Sequence, residues 1–127
     1  NMNSRGTTFT LWALQAKKDG KGLFIDGRLE AEQFQIFAVD ANDEEAYEAY
    51  KKTLFSYAAT DENISCTYKQ TAFTANLIAG CMCNILVNWC ANNVANKPIR
   101  EVPFCIEYDA STMQLKQRNK DELCIIS

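Results

Sequence analysis

A long apolar segment constrains the fold of this chain more than any other feature. It covers residues 72–91 and is interrupted by Asn76, Gly80, Asn84 and Asn88. A single bilayer span needs ~20 mostly apolar residues, and the asparagines make this segment too polar for that role. We therefore predict a helix over residues 71–93 that lies mostly buried in the core of a globular domain.

Polar and small residues recur at every fourth position of this helix, at Asn76, Gly80, Asn84, Asn88 and Asn92. Four residues turn a helix by ~400°, so these positions form a narrow stripe that drifts slowly around it. Such a stripe either faces a ligand or has a structural role, as a solvated edge or as a set of hydrogen-bond partners for a neighbouring backbone. We favour the second interpretation.

The composition indicates one globular domain over residues 1–127. The chain is 47% hydrophobic and 23% charged, and its net charge is −3. The acidic balance and the lack of a basic patch disfavour binding to nucleic acid or to an anionic membrane surface. No histidine is present, so catalysis or metal binding through histidine within this chain is excluded. The polar first residues contain no signal peptide, and six cysteines without one suggest free thiols and a cytoplasmic location.

The remaining patterns predict an α/β fold with a mixed sheet. A first helix is expected over residues 8–18, and a second one from Asn42, with Glu45 at the spacing of a capping box. Four strands are expected at residues 23–25, 33–39, 102–108 and 113–118, the last two forming a hairpin around a turn at residues 109–112. Residues 123–126 are a candidate fifth strand.

Cys66 is the candidate reactive residue, because it lies between Ser65 and Thr67 just before the long helix. Free N–H groups and the helix dipole at such a position favour a thiolate. The alternative is that Cys66, like most free cysteines, is a small buried hydrophobic residue. We expect Cys81, Cys83 and Cys90 to be buried on the apolar helix.

Arg28 is a candidate for binding a carboxylate or phosphate group of a substrate, since it follows the apolar strand at residues 23–25. The alternative is a surface ion pair. We interpret Asp26 and Glu32, near the same turn, as solvated or capping residues and not as metal ligands.

Several short segments, in this order, resemble E1-like adenylyltransferases of the ThiF/MoeB/HesA family. Residues 108–113 read YDASTM and resemble the family's "Y-D-a-x-T-m" hairpin. Residues 74–80 (TANLIAG) and 66–71 (CTYKQT) are similar to its long helix and to the cysteine-containing entry to that helix. Residues 1–5 (NMNSR) resemble the motif "D-N-x-x-[ST]-R" without its aspartate, and residues 23–28 (LFIDGR) resemble a strand and turn of bacterial members.

This resemblance implies the C-terminal half of a Rossmann-like ThiF/E1 domain. The parent enzyme would use ATP and Mg²⁺ to adenylate the C-terminus of a ubiquitin-like or sulfur-carrier protein. Thioester transfer to Cys66 is a possible second step. The resemblance also implies a homodimer. Asn1 and Arg5 match the nucleotide-binding motif.

The departures from the family pattern are as important as the matches. The loop G-x-G-x-x-G and the paired C-x-x-C zinc motifs are absent, and the family's aspartate would precede Asn1. We therefore expect a fragment that alone binds neither ATP nor a metal. A non-catalytic interaction or dimerisation module is the alternative; a thiol-redox protein is disfavoured because C-x-x-C is missing.

Overall fold

The computed structural model describes residues 4–58 and 72–121. The elements are α1 (Ser4–Asp19), β1 (Leu23–Glu30), β2 (Gln33–Asp40), α2 (Glu44–Ala58), α3 (Ala72–Ala95), β3 (Cys105–Asp109) and β4 (Gln114–Arg118). The predicted helices and the four main strands are confirmed. The candidate strand at residues 123–126 lies outside the described residues.

The four described strands form one antiparallel sheet in the order β1-β2-β3-β4. The prediction of a mixed sheet is therefore wrong for this part of the chain. The reason lies in the connections: β1 and β2 are joined by two residues, Ala31 and Glu32, and β3 and β4 by a short turn. Such short links join only antiparallel neighbours, since a parallel pair needs a long crossover.

The sheet separates two hydrophobic clusters, because alternate residues of a strand point to opposite faces. On one face, Phe37 and Val39 pack with the helices α1 and α2, around Phe9 and Tyr50. On the other face, the alternate residues of β2 pack against α3. Ile36, for example, belongs to the same hydrophobic cluster as buried residues of this helix. The architecture is thus a sheet with helices on both sides.

Three boundaries differ from the predictions. The helix α1 begins at Ser4, and β1 continues to Glu30, so that Asp26 and Arg28 lie inside a strand and not in a turn. The helix α2 is capped by Asp43, whose Oδ1 accepts a hydrogen bond from the N–H of Ala46 at 3.1 Å. The predicted cap is Asn42, but Asp43 stands one residue closer to the first helical turn and reaches the free N–H.

The prediction of a mostly buried long helix is wrong. Only Thr74, Ile78 and Ile85 are buried in α3, and 17% of its most apolar window, of mean hydropathy 1.3, is buried. By length and composition alone, α3 would be able to cross a membrane. Its packing on the sheet instead makes it part of an α/β domain, and a single sheet covers only one side of a helix.

Gly27 permits the close approach of α3 to β1. A Cβ at this position would lie 2.7 Å from Sδ of Met82 and 3.1 Å from Cδ1 of Ile78. Both distances are shorter than normal van der Waals contacts. A glycine in the middle of a strand is otherwise unfavourable, so its presence here follows from the packing of the helix.

Candidate functional site

The best-defined polar site is a buried cluster around the carboxylate of Asp26. Nε of Arg5 donates to Oδ1 at 2.9 Å, and Nε of Arg28 donates to Oδ2 at 2.9 Å. The hydroxyl of Tyr50 also donates to Oδ2, at 2.8 Å. Nη2 of Arg28 donates to Oγ1 of Thr53 at 2.9 Å. Since Asp26 and Arg28 are 8% and 7% exposed, this is an interior ion-pair network that joins α1, β1 and α2.

The local structure explains how these groups meet. Asp26 and Arg28 are two residues apart in β1 and therefore lie on the same face of the sheet, the face that α1 and α2 cover. The guanidinium carbon of Arg28 lies 4.6 Å from the centre of the Phe37 ring. Guanidinium groups stack well on aromatic faces, so the cation is held by a carboxylate, a hydroxyl and an aromatic ring together.

Tyr50 serves this cluster as a neutral hydrogen-bond donor. Its side chain is fully buried. Burial and the neighbouring charge of Asp26 raise the pKa of its hydroxyl far above the ordinary value of 10. The group therefore keeps its proton throughout the physiological range and is unsuited to act as a base.

Beside the cluster, an open groove of about 500 Å³ is lined by residues of all four strands. Its charged lining includes Arg28 of β1, Glu107 of β3 and Arg118 of β4. Glu107 accepts hydrogen bonds from Nε2 of Gln35, at 2.7 Å, and from Nε of Arg118. The groove thus offers both signs of charge and amide groups, a lining that suits a polar ligand.

A second groove of about 500 Å³ lies where the end of α3 meets the start of α2. Nε1 of Trp89 donates to Oδ2 of Asp40 at 2.8 Å, and Nζ of Lys120 donates to Oδ2 of Asp43 at 2.8 Å. Partial burial opposes ionisation of Asp43, but the bond from Lys120 and the helix N–H groups outweigh it and lower its pKa. The same bond raises the pKa of Lys120. These contacts have a structural role, since they fix the ends of two helices.

The structure brings together two of the four predicted site residues. Arg5, the predicted nucleotide-binding residue, and Arg28, the predicted substrate-binding residue, share the carboxylate of Asp26. Asn1 and Cys66 lie outside the described residues. The interpretation of Asp26 as solvated or capping is wrong, because its strand faces two helices, whereas Glu32 is exposed in the turn as expected.

Two asparagines of the stripe, Asn88 and Asn92, bind backbone, whereas Asn76 and Asn84 are exposed; these are the two structural roles predicted for the stripe. Nδ2 of Asn88 donates to the carbonyl of Glu101 at 2.9 Å. Asn92 donates to the carbonyl of Arg100 and accepts from its N–H, at 2.9 and 2.8 Å. These amides attach the segment that follows α3 to the side of the helix.

Sequence reasoning missed Tyr50 and Thr53 as members of the site. Tyr50 belongs to an apolar stripe, and its hydroxyl gives no signal in a hydrophobic pattern. One signal was available: Asp26 and Arg28 have opposite charges and stand two residues apart. Within a strand, this spacing predicts a pair on one face. Recognising it required the knowledge that β1 continues past residue 25.

Among residues 4–58 and 72–121, no group of three or more cysteine or acidic side chains is placed to hold a metal ion. Comparison of the chain with models of protein families, with curated proteins and with solved structures found no match. The described fold and site define an α/β domain with an antiparallel sheet and a buried arginine–aspartate cluster.

Proposed function

We propose that this chain is the C-terminal half of a Rossmann-like ThiF/E1-type adenylyltransferase domain. The whole enzyme would use ATP and Mg²⁺ to adenylate the C-terminus of a ubiquitin-like or sulfur-carrier protein, in the cytoplasm and as a homodimer. Transfer of the acyl group to the thiol of Cys66 would be the second step.

The observation that supports this proposal most is the contact between Arg5 and Asp26. Arg5 belongs to the segment NMNSR and Asp26 to the segment LFIDGR, the two N-terminal segments that resemble the family. They are 21 residues apart in sequence, yet their side chains form a bond of 2.9 Å. Two resembling segments that pack as one unit are expected if both come from one ancestral domain.

The residues of this chain do not by themselves fit ATP. Phosphate groups are usually held by the N–H groups of a glycine-rich loop at the start of a helix, and the sequence has no G-x-G-x-x-G. Arg5 and Arg28 already share a carboxylate. The proposal therefore assigns the nucleotide to residues upstream of this chain, and no step of adenylation is assigned to the residues present here.

ATP–pyrophosphate exchange tests the proposal. The 127-residue chain is expected to be silent, whereas the product of its reading frame extended upstream is expected to catalyse exchange in the presence of the carrier protein. Micromolar binding of ATP by the chain alone, measured by calorimetry, would contradict the assignment to a fragment. A silent extended product would contradict the family assignment.

The role of Cys66 is tested in the same extended enzyme. Cys66→Ala is expected to abolish the thioester with the carrier protein and to leave exchange intact, because the adenylate forms before the thiol reacts. Cys90→Ala is the matched control, since Cys90 carries an exposed thiol on α3. A thioester that survives Cys66→Ala but not Cys90→Ala would show that Cys90 of α3, and not Cys66, accepts the acyl group.

The second candidate function is a non-catalytic interaction module. The exposed apolar surface of α3 favours it, with Phe73 at 50%, Val87 at 55% and Val94 at 90% exposure. Apolar side chains in a continuous exposed patch mark interaction surfaces. Exchange activity of the extended protein distinguishes the two functions, since a module without catalysis gives none.

A further inference from the structure

We draw no further inference here: the strongest candidate, the open polar groove of about 500 Å³ lined by all four strands of the sheet, carries none, because its Arg28 is already bound to Asp26, its Glu107 and Arg118 are bound to each other, and nothing in the structure shows what would occupy it.

Discussion

At the scale of single residues, the carboxylate of Asp26 organises the interior of the molecule. It accepts hydrogen bonds from Arg5, Arg28 and Tyr50. Burying ions is costly, and the loss of one partner leaves the other without compensation. The three donors therefore act as a unit whose stability depends on the one shared acceptor.

Substitutions in this cluster are expected to destabilise the fold in a graded order. Asp26→Asn leaves Arg28 buried without its counter-charge and is expected to cost about 3–5 kcal/mol, a large part of the ~5–15 kcal/mol of a typical domain. Tyr50→Phe removes one donor to a carboxylate and is expected to cost about 1.5–3 kcal/mol.

Urea unfolding measures both free energies. Tyr47→Phe is the control, because Tyr47 contacts Phe9 within the same aromatic cluster but its hydroxyl is not bound to Asp26. Equal effects of the two tyrosine substitutions would show that the hydroxyl of Tyr50 contributes nothing through Asp26.

At the scale of elements, α3 is a helix with two different sides. Its inner side meets β1 at Gly27, where the backbone of the strand approaches Met82. Its outer side includes Gly80, where an added Cβ would meet no other atom within 4 Å. Glycine lowers the stability of a helix and of a strand for the same entropic reason. A difference between substitutions at the two positions therefore reports the packing around them and not the intrinsic preference of glycine.

The same substitution is therefore expected to have opposite effects at the two glycines. Gly27→Ala forces a Cβ against Met82 and Ile78 and is expected to destabilise the domain by about 1–3 kcal/mol. Gly80→Ala adds a methyl group in open space on a helix and is expected to stabilise it by about 0.5–1 kcal/mol. Thermal and urea unfolding measure both, and a destabilising Gly80→Ala would contradict the open position of this residue.

At the scale of the whole molecule, the sheet determines which cysteines are accessible. Cys83 and Cys90 are exposed, Cys81 is half-buried and Cys105 is fully buried. Burial raises the pKa of Cys81, and burial together with the charge of Glu107 raises the pKa of Cys105 to about 12. The expectation that the three helix cysteines are all buried is wrong for Cys83 and Cys90, because the helix has a free outer side.

Alkylation at neutral pH, mapped by mass spectrometry, is expected to follow this order. Among the four described cysteines, Cys83 and Cys90 react first, Cys81 later and Cys105 only on unfolding, since the thiolate is the reacting species. Cys66 keeps its predicted high reactivity, which the same map tests. Early labelling of Cys105 would contradict the described core.

The local pattern of the sequence determined the order and type of the described elements. Alternating and 3.6-residue periodicities place each strand and helix within a few residues, because they depend on neighbours in the chain. The sequence also identified Arg5 and Arg28 as candidate site residues, but it left open whether the asparagines of α3 are solvated or bind a neighbouring backbone.

Only the tertiary structure decided what these residues face. That Asp26 is buried depends on its contacts with Arg5 and Tyr50, which are 21 and 24 residues away in the sequence, and no local pattern encodes such contacts. The half-exposure of α3 has the same origin. An apolar helix has the same sequence whether it is covered on one side or on both, and the number of layers packed around it is a property of the assembled fold.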